Sequence, residues 1–205
     1  MNETLSQKPG LDFEKRARDE GYAFVAGVDE VGRGCLAGPV VAGAVILDPS
    51  KPLPAGINDS KKITKSKLPA IAVDIRENAL AFAIGQIEAD VIDKINILEA
   101  TKQAMLLAIS ALDPGPDLLL IDALQLKESP LPQKSIIKGD SVSASIAAAS
   151  IVAKVYRDDL MKVFDQHFPQ YGFAKHVGYG TKAHFEALRE HGPCELHRVS
   201  FKGVA

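Results

Sequence analysis

Apolar and polar positions change period several times along the chain, and each change marks an element. Tyr22 to Asp29 is a short β-rich apolar run, and Pro39 to Leu47 is a second one rich in valine and isoleucine. Between them lies EVGRGCLAG, whose Gly32, Gly34 and Gly38 permit positive φ and close backbone approach, as a tight turn or a ligand-hugging loop requires. After a Pro/Gly-rich loop from Asp48 to Ser60, the spacing of Leu68, Ile71, Ala72 and Ile75 predicts a helix over Thr64 to Glu77. Ala79 to Ile87 reads as a third strand. Ile95, Leu98, Met105, Leu106, Ile109 and Leu112 predict one amphipathic helix over Asp93 to Leu112, ended by Asp113-Pro114-Gly115. Asp117 to Asp122, DLLLID, is an apolar strand that finishes on a carboxylate. A short strand over Lys134 to Lys138 leads into a long helix, Ser141 to about Gln166, whose first half is nearly all serine and alanine. Small residues on every side of a helix imply close packing, so this one is expected against the sheet. Thr181 to His191 is the last predicted helix.

Three neighbouring strands followed by alternating helices and strands describe an α/β fold, a mixed β-sheet flanked by helices. The expected organisation is an N-terminal extension over residues 1–20 and one domain over residues 21–205, with a helical C-terminal part from about residue 160. With 46% hydrophobic and 24% charged residues in a chain of 205, a core forms without staples. Cys35 and Cys194 lie far apart and lack metal-ligand spacing, which suits a reducing compartment and no structural zinc. The longest apolar run, Pro39 to Leu47, is about half of the ~20 residues that a membrane span needs. No secretory pattern opens the chain, so a cytoplasmic, membrane-independent protein is expected. With 24 basic against 26 acidic residues, any contact with a polyanion must rest on a local patch.

Candidate chemistry begins with carboxylates. Asp29 and Glu30 end the first predicted strand and Asp122 ends the buried one, where open α/β sheets place their sites. Converging carboxylates at the lip of a core repel one another unless cations are present, and Mg²⁺ or Mn²⁺, hard ions with oxygen ligands, are the natural solution. Such ions support in-line phosphoryl displacement. Taken singly, a strand-ending aspartate often only caps the next turn. Asp29 and Glu30 point to opposite faces of a regular strand, so both reach one site only if the strand breaks there, and Gly32 and Gly34 are expected to provide the break. Asp140, directly before the Ser/Ala helix, reads equally as a helix N-cap. Ser60 and Lys61, in DSKK at the expected start of the second helix, suit either a phosphate contact or a solvated face. Tyr179, between two glycines, suits either stacking on a sugar or base or a plain turn. His167, His176, His184, His191 and His197 have no zinc-site spacing and read as surface or hydrogen-bonded residues, one of them a candidate for assisting product departure.

Five ordered segments, VAGVDEVGRGCLAGPVVAGAVIL, NDSKK, LLLIDAL, KGDSVSASIAAASIVAKVYRD and HVGYGTKAHFEALREHGPCELHRVSF, together resemble bacterial ribonuclease HII over about residues 20–202. The resemblance implies an RNase H-like fold and metal-dependent endonucleolytic cleavage of RNA in RNA–DNA hybrids and at single ribonucleotides in duplex DNA. It also implies a Mn²⁺ or Mg²⁺ cofactor; for the chain itself a monomer is expected. Asp29, Glu30, Asp122 and Asp140 match the family's catalytic, metal-binding carboxylates. Gly32, Arg33 and Gly34 match its GRG loop, whose backbone touches the ribose 2′-hydroxyl. Tyr179 matches the tyrosine that packs on the following sugar, and Ser60 and Lys61 match a phosphate-contacting segment. Val177 departs from the pattern, standing where many relatives carry a basic residue. The related ribonuclease HIII lacks the GRG arginine, and Arg33 favours HII. A hybrid-binding protein without catalysis is disfavoured, since a binder gains nothing from crowding carboxylates against phosphates.

Overall fold

The computed structural model describes residues 8–204, so the first seven residues of the expected N-terminal extension and Ala205 lie outside the described residues. Five strands, β1 (Val25–Val31), β2 (Val40–Leu47), β3 (Ala79–Ile87), β4 (Leu118–Asp122) and β5 (Gln133–Ile136), form one sheet in the order β3-β2-β1-β4-β5. β1, β2 and β3 make an antiparallel meander, while β4 and β5 add in parallel beside β1. The helices are α1 (Asp12–Asp19), α2 (Leu68–Asn78), α3 (Ala89–Ile95), α4 (Ile97–Ser110), α5 (Ala144–His167), α6 (Phe173–His176) and α7 (Lys182–His191). The mixed sheet flanked by helices is the expected α/β architecture.

Strand periodicity divides the core between two faces. Val28, Ala42, Ala44, Ile46, Leu119 and Ile121 pack with α4, whereas Val45 packs with α2 and α5 and Val25, Leu118 and Leu120 with α1 and α5. The Ser/Ala half of α5 is buried throughout, as its composition predicts. It sits unusually close to the sheet because β1 and β2 present glycines there. A Cβ on Gly27 would fall 2.1 Å from the Ser145 carbonyl carbon, and one on Gly43 would fall 2.4 Å from the Ala149 oxygen. This seating brings the start of α5 to the ends of β1 and β4.

Several boundaries differ from expectation for local reasons. The expected helix over Asp93 to Leu112 is two helices broken at Asn96, which has φ 68° and caps α4 by accepting from Leu98 N and Glu99 N. Pro69 sits in the first turn of α2, so that helix starts at Leu68 rather than Thr64. Asp59 to Lys62 therefore do not open it; Ser60–Lys62 form a separate single turn capped by Asp59. β5 ends at Ile136, and Lys138 turns the chain with φ 56°. Helix α1 lies in a stretch to which the sequence pattern assigned no element. Its Glu14 is buried and accepts from Ser143 Oγ, Ser145 N and Ser145 Oγ at 2.7, 3.0 and 2.6 Å.

Candidate active site

Register builds the carboxylate cluster. Val28 pairs with Ile121 across the parallel β1 and β4, so the next residue on each strand, Asp29 and Asp122, stand side by side on the face that carries α5. β1 does not break at the Asp29-Glu30 pair, as the glycines suggested it would; regular pairing with β2 continues through Glu30 and Val31. Glu30 therefore starts from the opposite side of the strand, but near its end it still lines the groove that Ser60 and Ser150 share, within reach of the Asp122 charge. Asp140 lies in a single turn, Gly139–Ser141, packed against the start of α5. It is not the helix N-cap. Ser143 fills that role, its hydroxyl accepting from Ile146 N. The Gly139 amide donates to Asp122 Oδ1 at 2.7 Å, which joins the Asp140 turn to the end of β4.

Three of the four carboxyls are held above their ordinary range. Burial, the Glu30 charge and the Asp122 charge push Asp29 well up, against partial relief from Ser150 and the Glu30 amide. Burial raises Glu30 and Asp122 as well, opposed mainly by Arg33 for Glu30 and by the Gly139 amide for Asp122. Glu30 Oε2 is buried without a hydrogen-bond partner. The cations at hand are Arg33, 3.1 Å from Glu30 Oε1, and Lys61, 3.4 Å from Asp140 Oδ2. Partial burial works against the Lys61 ammonium, but Asp140, Asp29 and Asp59 outweigh it and hold the amine above its ordinary value.

Among the described residues, no three His, Cys, Asp or Glu side chains already form a cage for one ion. The donor set nevertheless fits a hard divalent cation. It is all oxygen, it includes an unpartnered buried carboxylate atom, and its ionisation is opposed in the cation's absence.

Beside the cluster runs an open groove of about 210 Å³, lined by Glu30, Gly32, Arg33, Gly34, Ser60, Lys61, Ser150, Lys154 and Tyr179 together with Val31. The structure thus brings the GRG loop, Ser60, Lys61 and Tyr179 to one place. Ser60 is mostly buried and its hydroxyl pairs with Ser150 Oγ at 3.0 Å, which pins its turn to α5. Gly32 has φ 91°, and a Cβ there would meet Arg157 Nε at 2.3 Å. Val177 is buried, with φ 45°, so its side chain is part of the packing beneath the tyrosine loop.

Ser150, Lys154, Asp59 and two buried arginines were not singled out in the sequence. Arg157 donates to the carbonyls of Pro39, Val177 and Ala37 at 2.9, 2.8 and 3.0 Å. Arg198 donates to Gly38 O through Nε and Nη2, and to Arg33 O through Nη1 at 3.0 Å. These two guanidiniums clamp the GRG loop and its continuation to the C-terminal segment. Ser150, Lys154 and Arg157 recur at helical spacing where α5 leaves its Ser/Ala half, the one sequence signal that marks them.

The ribonuclease HII family profile matches residues 26–204. The chain belongs to the ribonuclease HII family. A ribonuclease HII of Chlamydia caviae is 56% identical over 193 residues, spanning 94% of this chain and 90% of that relative. The family consists of ribonuclease H enzymes, and this protein is one of them. Its fold is shared with the ribonuclease of the PCNA:RNase HII complex from Archaeoglobus fulgidus, at TM-score 0.75 and 24% identity over 88% of this chain and 96% of that one. Bst-RNase HIII in complex with Mn²⁺ gives TM-score 0.67 at 22% identity, over 92% of this chain and 70% of that one.

Proposed function

We propose that the protein cleaves the RNA strand of RNA–DNA hybrids and cuts duplex DNA on the 5′ side of a single embedded ribonucleotide, leaving a 3′-hydroxyl and a 5′-phosphate. The observation that carries this reading is the set of Asp29, Glu30 and Asp122 carboxyls, held above their ordinary range beside a groove that also contains the GRG loop and Tyr179. Asp29, Glu30, Asp122 and Asp140 would hold divalent cations, Mg²⁺ or Mn²⁺, and a manganese-bound ribonuclease HIII of the same fold supports that choice. When bound, such cations supply Lewis-acid activation of water and neutralise charge on the phosphodiester.

The chain's own groups do the rest. The Gly32 to Gly34 loop lines the groove with Arg33 and Gly34 exposed, where short backbone groups suit the ribose 2′-hydroxyl, which both donates and accepts. Arg33 and Lys61 set positive charge against flanking phosphates, with Lys154 further along the groove. Nearly half exposed, Tyr179 offers its ring to the next sugar. The substrates are RNA–DNA hybrid and ribonucleotide-containing duplex DNA, which assigns the enzyme to removal of ribonucleotides and RNA primers from DNA. Among the described residues no helix is long and apolar enough to cross a membrane. The two free cysteines suit the reducing interior of a cytoplasmic enzyme, whose acting unit we take to be a monomer.

Asp122→Asn tests the reading. The variant keeps the acceptor for the Gly139 amide but loses the charge, so cleavage should fall by about 10²-fold or more while duplex binding persists. Near-normal cleavage by this variant would remove Asp122 from the mechanism.

A further inference from the structure

Helix α6 leads into Tyr179 through two left-handed residues, Val177 with φ 45° and Gly178 with φ 85°. A β-branched residue in that region relaxes unless its surroundings hold it. Three imidazoles gather beneath the segment. His176 stacks on His184 with ring centroids 4.4 Å apart, and His184 meets His197 at 5.2 Å. His184 and His197 are buried.

The partners of these rings fix where their protons sit. His184 Nδ1 lies 2.9 Å from the Tyr179 carbonyl oxygen, which only accepts, so Nδ1 carries a proton and donates it. Nε2 of the neutral ring must then accept. The atom facing it, 3.0 Å away, is His197 Nε2, which must donate. His197 Nδ1 is left as an acceptor, and the Cys194 backbone amide donates to it at 2.9 Å. One tautomer of each ring satisfies every contact, in a line from the Cys194 amide through both imidazoles to the Tyr179 carbonyl. Burial holds both rings below their ordinary pKa, His197 at about 4, so the line is intact at neutral pH. His176 braces the other side: its Nδ1 accepts from Gly178 N at 3.2 Å, while its Nε2 donates to Tyr171 O at 2.8 Å.

We infer that His184, locked in one tautomer by His197, is a positioning residue that fixes Tyr179 for its contact with the sugar beside the ribonucleotide. The inference rests on the proposed role of Tyr179. Neither His184 nor His197 lines the groove, so both act through the tyrosine segment rather than on substrate.

The test uses the full chain and four variants. His184→Phe keeps a ring and deletes the donor; His184→Asn returns an amide N–H near the position of Nδ1. Each is compared with the parent, with Tyr179→Ala, and with the His184→Phe/Tyr179→Ala double variant. Cleavage is measured on a duplex with one embedded ribonucleotide and on a continuous RNA–DNA hybrid, and amide hydrogen exchange is followed at residues 178–181. His184→Phe should lower the ratio of embedded to continuous cleavage about tenfold, the loss expected when a stacked aromatic is misplaced. His184→Asn should restore most of it, and His184→Phe should add no loss once Tyr179 is alanine. Exchange at residues 178–181 should rise. Equal losses on both substrates, or losses that multiply in the double variant, would overturn the inference. If Tyr179→Ala leaves both rates unchanged, the reading of Tyr179 itself fails, and exchange alone decides the anchoring: a rise at residues 178–181 supports it and no change refutes it. Should His184→Phe not fold, His197→Leu, which removes the donor to His184 Nε2 together with the acceptor for the Cys194 amide, enters the same comparison with the same expectations.

Discussion

Asp29→Asn should make the metal-free protein more stable while destroying its activity. Asp29 is only 4% exposed, and asparagine retains its shape and can still accept from Glu30 N, 2.8 Å from Oδ1. What disappears is a charge disfavoured by burial and by Glu30 and Asp122. Replacing buried ion pairs or triads with uncharged residues of similar volume is often neutral or stabilising by about 1–4 kcal/mol, and an unpaired carboxylate raised by burial and like charges sets the gain toward the stabilising side. For a chain of this size each kcal/mol moves Tm by about 2–4 °C, so a rise of about 2–16 °C is expected in chelator once pH is above the folded value. The pH dependence has a defined sign. Because the folded-state pKa lies above the unfolded one, the native protein carries no penalty below about pH 4 and acquires it as pH rises through the folded value. The advantage of the variant should therefore vanish in acid and grow as pH rises through the folded value. Excess Mn²⁺ or Mg²⁺ should reverse the order, since a ligand at 100 times its Kd stabilises the parent by about 2.7 kcal/mol and the variant by far less. Scanning calorimetry across pH, with and without cation, measures all three effects. A metal-free variant less stable than its parent at neutral pH, or one whose advantage persists undiminished below pH 4, would refute the account of a strained carboxylate cluster.

Arg157→Lys keeps the charge but loses the planar fork that spans the three carbonyls, leaving buried acceptors unpaired, so denaturant unfolding should show a loss of about 1–3 kcal/mol, with the slope unchanged. Tyr179→Ala should slow cleavage at a single embedded ribonucleotide about ten- to a hundredfold and cleavage of a continuous hybrid less, as initial rates on the two substrates would show. His184 and His197 are neutral in the fold with lowered pKa, so their contribution to stability is present above about pH 6.5 and is lost as pH falls through the folded values, about 4 for His197. His197→Phe should flatten that part of the stability profile measured by thermal melts, and an unaltered slope would count against the neutral pair.

The strands and the buried helix were legible in the sequence because their signals are local. β3 runs from Ala79 to Ile87 as its pattern predicts, and the Ser/Ala half of α5 advertises its burial. The break at Asn96 was hidden because the apolar period continues through it, while the break itself is a backbone angle at one residue. The adjacency of Asp29 and Asp122 follows from parallel pairing, and the joining of Asp140 to them follows from a single amide at Gly139. Neither is encoded by spacing along the chain. Arg157 and Arg198 were missed because arginine is rarely buried without an acidic partner; carbonyls freed by the irregular GRG and tyrosine loops supply the acceptors here. The resemblance to ribonuclease HII supplied the 2′-hydroxyl specificity, which no periodicity contains.

Cleavage of a labelled duplex bearing one ribonucleotide, with end-group analysis of the products, tests the central claim most directly. In Mg²⁺ or Mn²⁺ the cut should fall 5′ of the ribonucleotide and leave a 3′-hydroxyl and a 5′-phosphate, and excess chelator should abolish it. Cyclic phosphate ends, or full activity in chelator, would mean that the ribose 2′-hydroxyl is the nucleophile and would contradict hydrolysis at the Asp29, Glu30, Asp122 and Asp140 cluster.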